Sequence, residues 1–232
     1  MFSRRYVALF ALCAAAAPAQ QAAPQKASDS PARFASAIEA FLQSDRTAPP
    51  PQQSILFIGS SIFRLWKNLT TQMAPLPVFN RAFGGSRTAD VLHYMDEIVL
   101  PYQPKVIVYY CGSNDVNPGL PAAGIAGNFR KFVERVHDKL PETRVIYVAI
   151  QRAPEKRKHW DVVDEANTLA KEYCGRDRRL TFVDLNPALF GADGDPRLDL
   201  YLADKLHFHE PAYVEFTKLL RPVLERVWQS VN

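Results

Sequence analysis

The 232-residue sequence predicts an α/β fold with a parallel sheet sandwiched between helices. Three observations carry that expectation. Five short apolar runs recur along the chain. Four of them close on glycine, asparagine or aspartate, and amphipathic helical stripes fill the gaps between them. Runs that are apolar at every position are what strands covered on both faces look like; a half-exposed strand would alternate.

The elements follow in order. Met1 to Ala19 reads as a secretory signal: Arg4 and Arg5 form a basic start, Tyr6 to Ala17 a short Ala/Leu-rich stretch, and Ala17-Pro18-Ala19 a small-x-small cleavage site. An acylated Cys13 is the alternative, but Leu12 occupies the place where such signals carry a small residue. Gln20 to Asp29 is a polar linker. Ser30-Pro31 then suits a helix start, cap followed by proline, with Phe34, Ile38, Phe41 and Leu42 at helical spacing and Pro49-Pro50-Pro51 beyond. The strand-like runs are Ile55 to Ile58, Val78-Phe79, Val106 to Tyr110, Val145 to Ile150 and Leu180 to Val183. Helical stripes run through Val91–Val99, Ile125–Leu140, Val162–Tyr173 and Tyr213–Val227, the last with Pro222 as an expected kink.

Composition narrows the function classes. With 47% hydrophobic residues the chain can bury a core, which excludes global disorder. The net charge of +4 is scattered, and no Lys/Arg-rich run marks a nucleic-acid surface. Three cysteines are too few for a disulfide scaffold and lack zinc spacing. Cys111 and Cys174 could pair in an oxidising compartment, although a buried free thiol at Cys111 is the plainer reading. No long apolar or amphipathic membrane segment follows the signal, so stable membrane insertion is not expected.

In an open α/β sheet, ligands bind beyond the carboxyl ends of the strands. Polar blocks sit there: Gly59-Ser60-Ser61-Ile62 after the first strand, Asn80 to Ser86 after the second, and Gly112-Ser113-Asn114-Asp115 after the third. Past the fifth, a long loop delivers Asp204-Lys205-Leu206-His207. Singly, each is ordinary turn chemistry. In this order, from about Ser54 to the C-terminus, they resemble the SGNH (GDSL) hydrolases, a lipase/acylhydrolase family, in particular its platelet-activating factor acetylhydrolase-like and lysophospholipase-like members. The resemblance implies a flavodoxin-like three-layer α/β/α sandwich over residues 54–232, serine ester hydrolysis and no cofactor. It departs at Ser60, where the family carries aspartate, and at Glu210-Pro211-Ala212-Tyr213, where a glycine commonly precedes the tyrosine.

The family register makes Ser61 the nucleophile. A hydroxyl needs a base, and His207 suits that task, with Asp204 three residues earlier to hold its tautomer. No Gly-x-Ser-x-Gly elbow is present, which disfavours an ordinary α/β-hydrolase. By resemblance the oxyanion donors are the backbone N–H groups of Ser61 and Gly85 and the side-chain amide of Asn114. Gly85 is expected to serve by letting its loop approach closely. Asp204, His207 and His209 fall short of the three or four ligands plus spacing that a metal site shows. His209 reads as helix start or pocket wall, and His93 and His137 as surface or structural residues. His159 and Trp160 read as pocket wall or packing, Phe63 and Trp66 as core, and Arg64 and Arg87 as solvent-exposed, with contact to a negatively charged substrate as the alternative. The expectation is a secreted or periplasmic serine esterase for small or short-chain acyl esters, of carbohydrates or of lysophospholipid-like alcohols. A non-catalytic binding domain of the same fold is the alternative, supported by the missing aspartate. A phosphate- or flavin-binding module would leave Asp204 and His207 unexplained.

Overall fold

The computed structural model describes residues 30–231. The signal segment, Cys13 and the polar linker therefore lie outside the described residues. Five strands, β1 Ile55–Gly59, β2 Val78–Asn80, β3 Val106–Tyr110, β4 Arg144–Val148 and β5 Leu180–Val183, form one all-parallel sheet in the order β2-β1-β3-β4-β5. The expected three-layer sandwich is what forms.

The sheet sorts its side chains by parity, because successive residues of a strand point to opposite faces. Ile55 and Phe57 of β1, Val106, Val108 and Tyr110 of β3, and Ile146 and Val148 of β4 face one layer. There they pack on Phe63 of α2 (Ser61–Arg64), Leu69 and Met73 of α3 (Leu69–Met73), and Tyr213, Phe216 and Leu220 of α8 (Glu210–Gln229). Leu56, Ile58, Ile107, Tyr109, Val145 and Tyr147 face the other layer. That layer holds α1 (Ala35–Thr47), α4 (Thr88–His93), α5 (Met95–Ile98), α6 (Ala122–Lys139) and α7 (Trp160–Cys174). Every one of these strand residues is essentially inaccessible to water, which is why the runs never alternate.

Several boundaries differ from the sequence expectation for identifiable reasons. Pro31–Phe34 forms a 3₁₀ turn and α1 starts only at Ala35. The Tyr94 hydroxyl donates to the Pro31 carbonyl at 2.9 Å, so that carbonyl answers a tertiary partner. The stripe 91–99 is two short helices divided at Tyr94. β4 stops at Val148, because the Asn167 side chain grips both the N–H and the C=O of Ile150, at 2.8 and 2.9 Å, in place of a strand neighbour. α8 runs through Pro222 without interruption. The turn before α1 is fastened to the body by Arg33 to Asp90 at 2.5 Å, and α1 itself by Asp45, which accepts from both Arg81 and the Tyr102 hydroxyl. Cys111 and Cys174 are both buried and unpaired.

Candidate active site

The chain leaves β1 through Gly59 at φ +138°; a Cβ there would lie 1.7 Å from the Tyr110 carbonyl oxygen. Only glycine fits this approach of β1 to β3. Ser60 then donates its N–H to that carbonyl at 3.1 Å, and α2 starts at Ser61. The four-residue helix is held from outside. Asn80 donates to the Phe63 carbonyl at 2.7 Å, and Tyr213 of α8 donates to the Ile62 carbonyl at 3.0 Å. The Tyr213 bond satisfies a carbonyl that so short a helix leaves without a backbone partner, and the Asn80 bond adds to the one that Trp66 N–H makes with Phe63 at 3.1 Å. Ser61 is consequently fixed at the junction of β1 and β3, where the strand order reverses and such sheets bind ligands.

The other half arrives from the loop before α8. Tyr201 and Phe208 form an antiparallel bridge, with their rings in tilted contact at a centroid distance of 4.8 Å. Leu202 N–H to the His207 carbonyl (2.7 Å) and His209 N–H to the Leu200 carbonyl (2.9 Å) close the bracket. At its tip Lys205 adopts φ +55°, and Asp204 Oδ1 accepts the N–H groups of Leu206 and His207 at 3.0 and 2.9 Å. Asp204 Oδ2 faces His207 Nδ1 at 2.6 Å, and His207 Nε2 lies 2.9 Å from Ser61 Oγ. A carboxylate opposite Nδ1 places the ring proton there and leaves Nε2 to accept from the Ser61 hydroxyl. Partial burial pushes the Asp204 carboxyl up, but hydrogen bonds from the His207 ring and from the amides of His207 and Leu206 outweigh it and hold the group at about 2. Asp204 therefore stays ionised throughout the neutral range.

The oxyanion donors named from sequence lie together but are not equally disposed. The Gly85 N–H has no hydrogen-bond partner among the described residues. Gly85 has φ +81°, and a Cβ would meet only Phe34 at 4.0 Å. The need for glycine is thus conformational, and the expected close approach of the loop is not its cause. The Ser61 N–H and the Asn114 side-chain amide both donate to Ser60 Oγ, at 2.6 and 3.1 Å. The residue standing in the family's aspartate position thus gathers both donors on one buried hydroxyl. Asn114 also donates to the Ser86 carbonyl at 3.0 Å, and the Ser86 hydroxyl donates to the Gly59 carbonyl at 3.0 Å, so the blocks after β1, β2 and β3 are knitted at Ser86.

Asp115 points away from this cluster. Its carboxylate accepts from the backbone N–H and hydroxyl of Thr88 at the start of α4. Burial pushes it up to about 6 against those hydrogen bonds. The cleft over Ser61 is small, about 270 Å³, and is lined by Ser61, Arg64, Gly84, Gly85, Asn114, Leu206 and His207. A larger groove of about 410 Å³ around Arg152, Asp164, Lys171 and Phe182 shares none of these residues. Arg64 is exposed, as expected, yet it also walls the cleft; it sits one helical turn after Ser61, and that spacing was the available signal. Leu206, inside the Asp-x-x-His block, went unnoticed for want of any chemistry of its own.

Residues named as alternatives take other places. His209 caps α8 and is exposed, His93 meets the Tyr94 ring edge-on, and His137 bonds the Thr143 carbonyl. Trp160 donates to the Ala153 carbonyl and packs on Phe190, and neither it nor His159 lines the cleft. Among the described residues no three His, Cys, Asp or Glu side chains gather as a metal site, and no helix is long and apolar enough to cross a membrane.

Known proteins carry the same arrangement of chain. The human platelet-activating factor acetylhydrolase IB subunit alpha1 is 25% identical over 219 residues, which is 90% of each chain. A GDSL-like lipase from Bacteroides thetaiotaomicron VPI-5482 superposes with TM-score 0.65 at 19% identity, over 84% of this chain and 97% of that one. A carbohydrate esterase family 3 protein from Talaromyces cellulolyticus superposes with TM-score 0.62 at 16% identity, over 77% and 99%. At those identities the solved structures share the fold. Residues 58–214, well over half the chain and spanning every block from Gly59 to His207, match the GDSL-like lipase/acylhydrolase family, so the chain belongs to that family and is an ester hydrolase.

Proposed function

We propose that this protein is an exported serine esterase that removes acetyl or similarly short acyl groups, with Ser61, His207 and Asp204 as its triad. The observation that carries the reading is the continuous relay from Ser61 Oγ through the imidazole to Asp204, at 2.9 and 2.6 Å. Ser61 Oγ attacks the ester carbonyl carbon as its proton passes to His207 Nε2. Asp204 keeps the imidazole in the right tautomer and stabilises the imidazolium. The tetrahedral oxyanion takes the open Gly85 N–H, and it takes the Ser61 N–H and Asn114 amide over from Ser60, whose hydroxyl turns aside. His207 returns the proton to the departing alcohol, leaving acyl-Ser61. Water then adds with His207 again as base, and the carboxylic acid and free Ser61 are released.

The volume of the cleft supports a short acyl group, since about 270 Å³ lies at the low end for small-molecule sites. The alcohol is a carbohydrate or a lysophospholipid-like glycerol. Both kinds of chemistry are named among the similar proteins, one a carbohydrate esterase and another a platelet-activating factor acetylhydrolase. Export, to the periplasm or beyond, rests on the basic start, apolar stretch and Ala17-Pro18-Ala19 site.

The test is covalent labelling of the exported protein with a fluorophosphonate probe. The expected result is one adduct at Ser61 on a chain beginning at Gln20, with p-nitrophenyl acetate hydrolysed faster than the octanoate and labelling abolished in Ser61→Ala. An adduct at Ser60, or none, overturns the triad; a chain that keeps residues 1–19 overturns export.

A further inference from the structure

One cationic side chain in the cleft has no role in the relay. Arg64 projects from the last position of α2, one turn beyond Ser61, where residues three apart share a helix face with Cβ atoms ~5–6 Å apart. Among the described residues it forms no ion pair, unlike Arg33 and Arg81, whose guanidinium groups are committed to Asp90 and Asp45. Its position is nonetheless defined. A Cβ on Gly84 would lie 2.5 Å from Arg64 Nε and 3.1 Å from Cζ and Nη2. The guanidinium thus rests against the bare face of Gly84, next to Gly85 and its open N–H. Glycine at 84 leaves the room that the arginine fills. A long exposed side chain normally samples many rotamers. One laid along a loop at the mouth of a nucleophile's cleft is a fixed fork of N–H donors awaiting an acceptor.

We infer that Arg64 determines specificity: it selects esters that carry an anionic group, phosphate or carboxylate, on the alcohol beside the scissile bond. The inference rests on the esterase reading above and adds the charge of its substrate. The guanidinium would bind two oxygens of that anion side by side while the acyl carbonyl lies over Ser61. Among the described residues no acidic side chain lines the cleft to compete for the arginine or to repel the anion. Charge-assisted hydrogen bonds of this kind contribute about 1.5–3 kcal/mol, roughly 10- to 150-fold in discrimination.

The experiment compares kcat/KM for matched esters on wild-type protein and on Arg64→Met, Arg64→Lys and Arg64→Glu. The carboxylate pair is 4-acetoxybenzoate and its methyl ester; the phosphate pair is 1-acetylglycerol 3-phosphate and 1-acetylglycerol. Wild type is expected to favour the anionic member of at least one pair by about tenfold or more, an advantage that shrinks with added salt. Whichever pair shows it identifies the anion. Arg64→Met should bring the anionic-to-neutral ratio close to one, chiefly through KM. Arg64→Lys should keep part of the preference, and Arg64→Glu should invert it. A ratio near one in wild type, or one that Arg64→Met and Arg64→Glu leave unmoved, overturns the inference while the esterase reading stands. Failure of wild type to hydrolyse any of the four esters overturns the esterase reading itself.

Discussion

The two halves of the site are held in different ways. Ser61 is held by the fold. Its strand is the second of five in the sheet, its glycine touches β3, and its helix is pinned by Asn80 and Tyr213 from two other elements. His207 is held by its own neighbourhood, a bracket between Tyr201 and Phe208 with an aspartate turn inside it, on a loop where Asp204 and Lys205 are exposed. Ser61, the proposed nucleophile, therefore moves only if the sheet does. His207, the proposed base, can be perturbed while the sheet stays intact. Damage on one side should register as stability, and on the other as turnover.

The largest effect is expected on the nucleophile's side. Gly59→Ala sets a methyl group against the Tyr110 carbonyl, with no flexible atom to yield. A loss of more than about 4 kcal/mol of stability should follow, with activity falling in step with the folded fraction in urea titrations. Should Gly59→Ala melt like wild type, the claim that the fold holds the nucleophile is broken. Next comes the base side. Asp204→Asn keeps an oxygen for the two backbone amides but loses the charge that orients the imidazole. Turnover should fall about 10⁴-fold, in line with the loss on neutralising the carboxylate of a serine triad. Stability at pH 7 should change by less than about 1 kcal/mol, since Asp204 is half exposed. A stability loss as large as that of Gly59→Ala would erase the distinction.

The smallest effect sharpens the comparison at Asp115, which belongs to the nucleophile's side by anchoring α4. Its carboxyl is pushed up to about 6 in the fold, against about 3.9 when unfolded. Between those values the folded state binds a proton that the unfolded chain does not. This group therefore adds stability as pH falls from 6 to 4, and its burden on the ionised fold is fully present above 6. The span is about 3 kcal/mol at most. Urea titrations at pH 4.5 and 7.5 should show Asp115→Asn gaining on wild type at the higher pH, while the same pair of measurements on Asp204→Asn shows little change. An equal difference between wild type and Asp115→Asn at both pH values would contradict the assignment.

β1 and β3 were legible because burial on both faces leaves no polar residue to confuse their extent, and they match their apolar runs to within a residue; β5, half-buried at Thr181 and Phe182, matches as well. Where sequence failed, a side chain from a distant segment had replaced a backbone partner. Asn167 ended β4 early, and the Tyr94 hydroxyl drew off the Pro31 carbonyl. The relay residues could be named because each stands in a block with its own spacing. The capture of two proposed oxyanion donors by Ser60 could not, since it depends on where Asn114 lands across the junction of β1 and β3. Arg64 and Leu206 become cleft walls only when two segments some 140 residues apart meet. Position within a fold is what made them matter.

The bracket at Tyr201 and Phe208 also bears on how such a chain can diverge. Upstream of it, residues 190–197 close on themselves through the Phe190–Pro196 bridge and a turn at Gly194. Lengthening or shortening that outer turn reshapes the separate groove that Phe190 lines with Arg152 and Asp164, yet the imidazole hangs from the bracket behind it and keeps its place. An insertion at that turn is thus taken up outside the bracket, and the spacing between Asp204 and His207 is carried along unaltered.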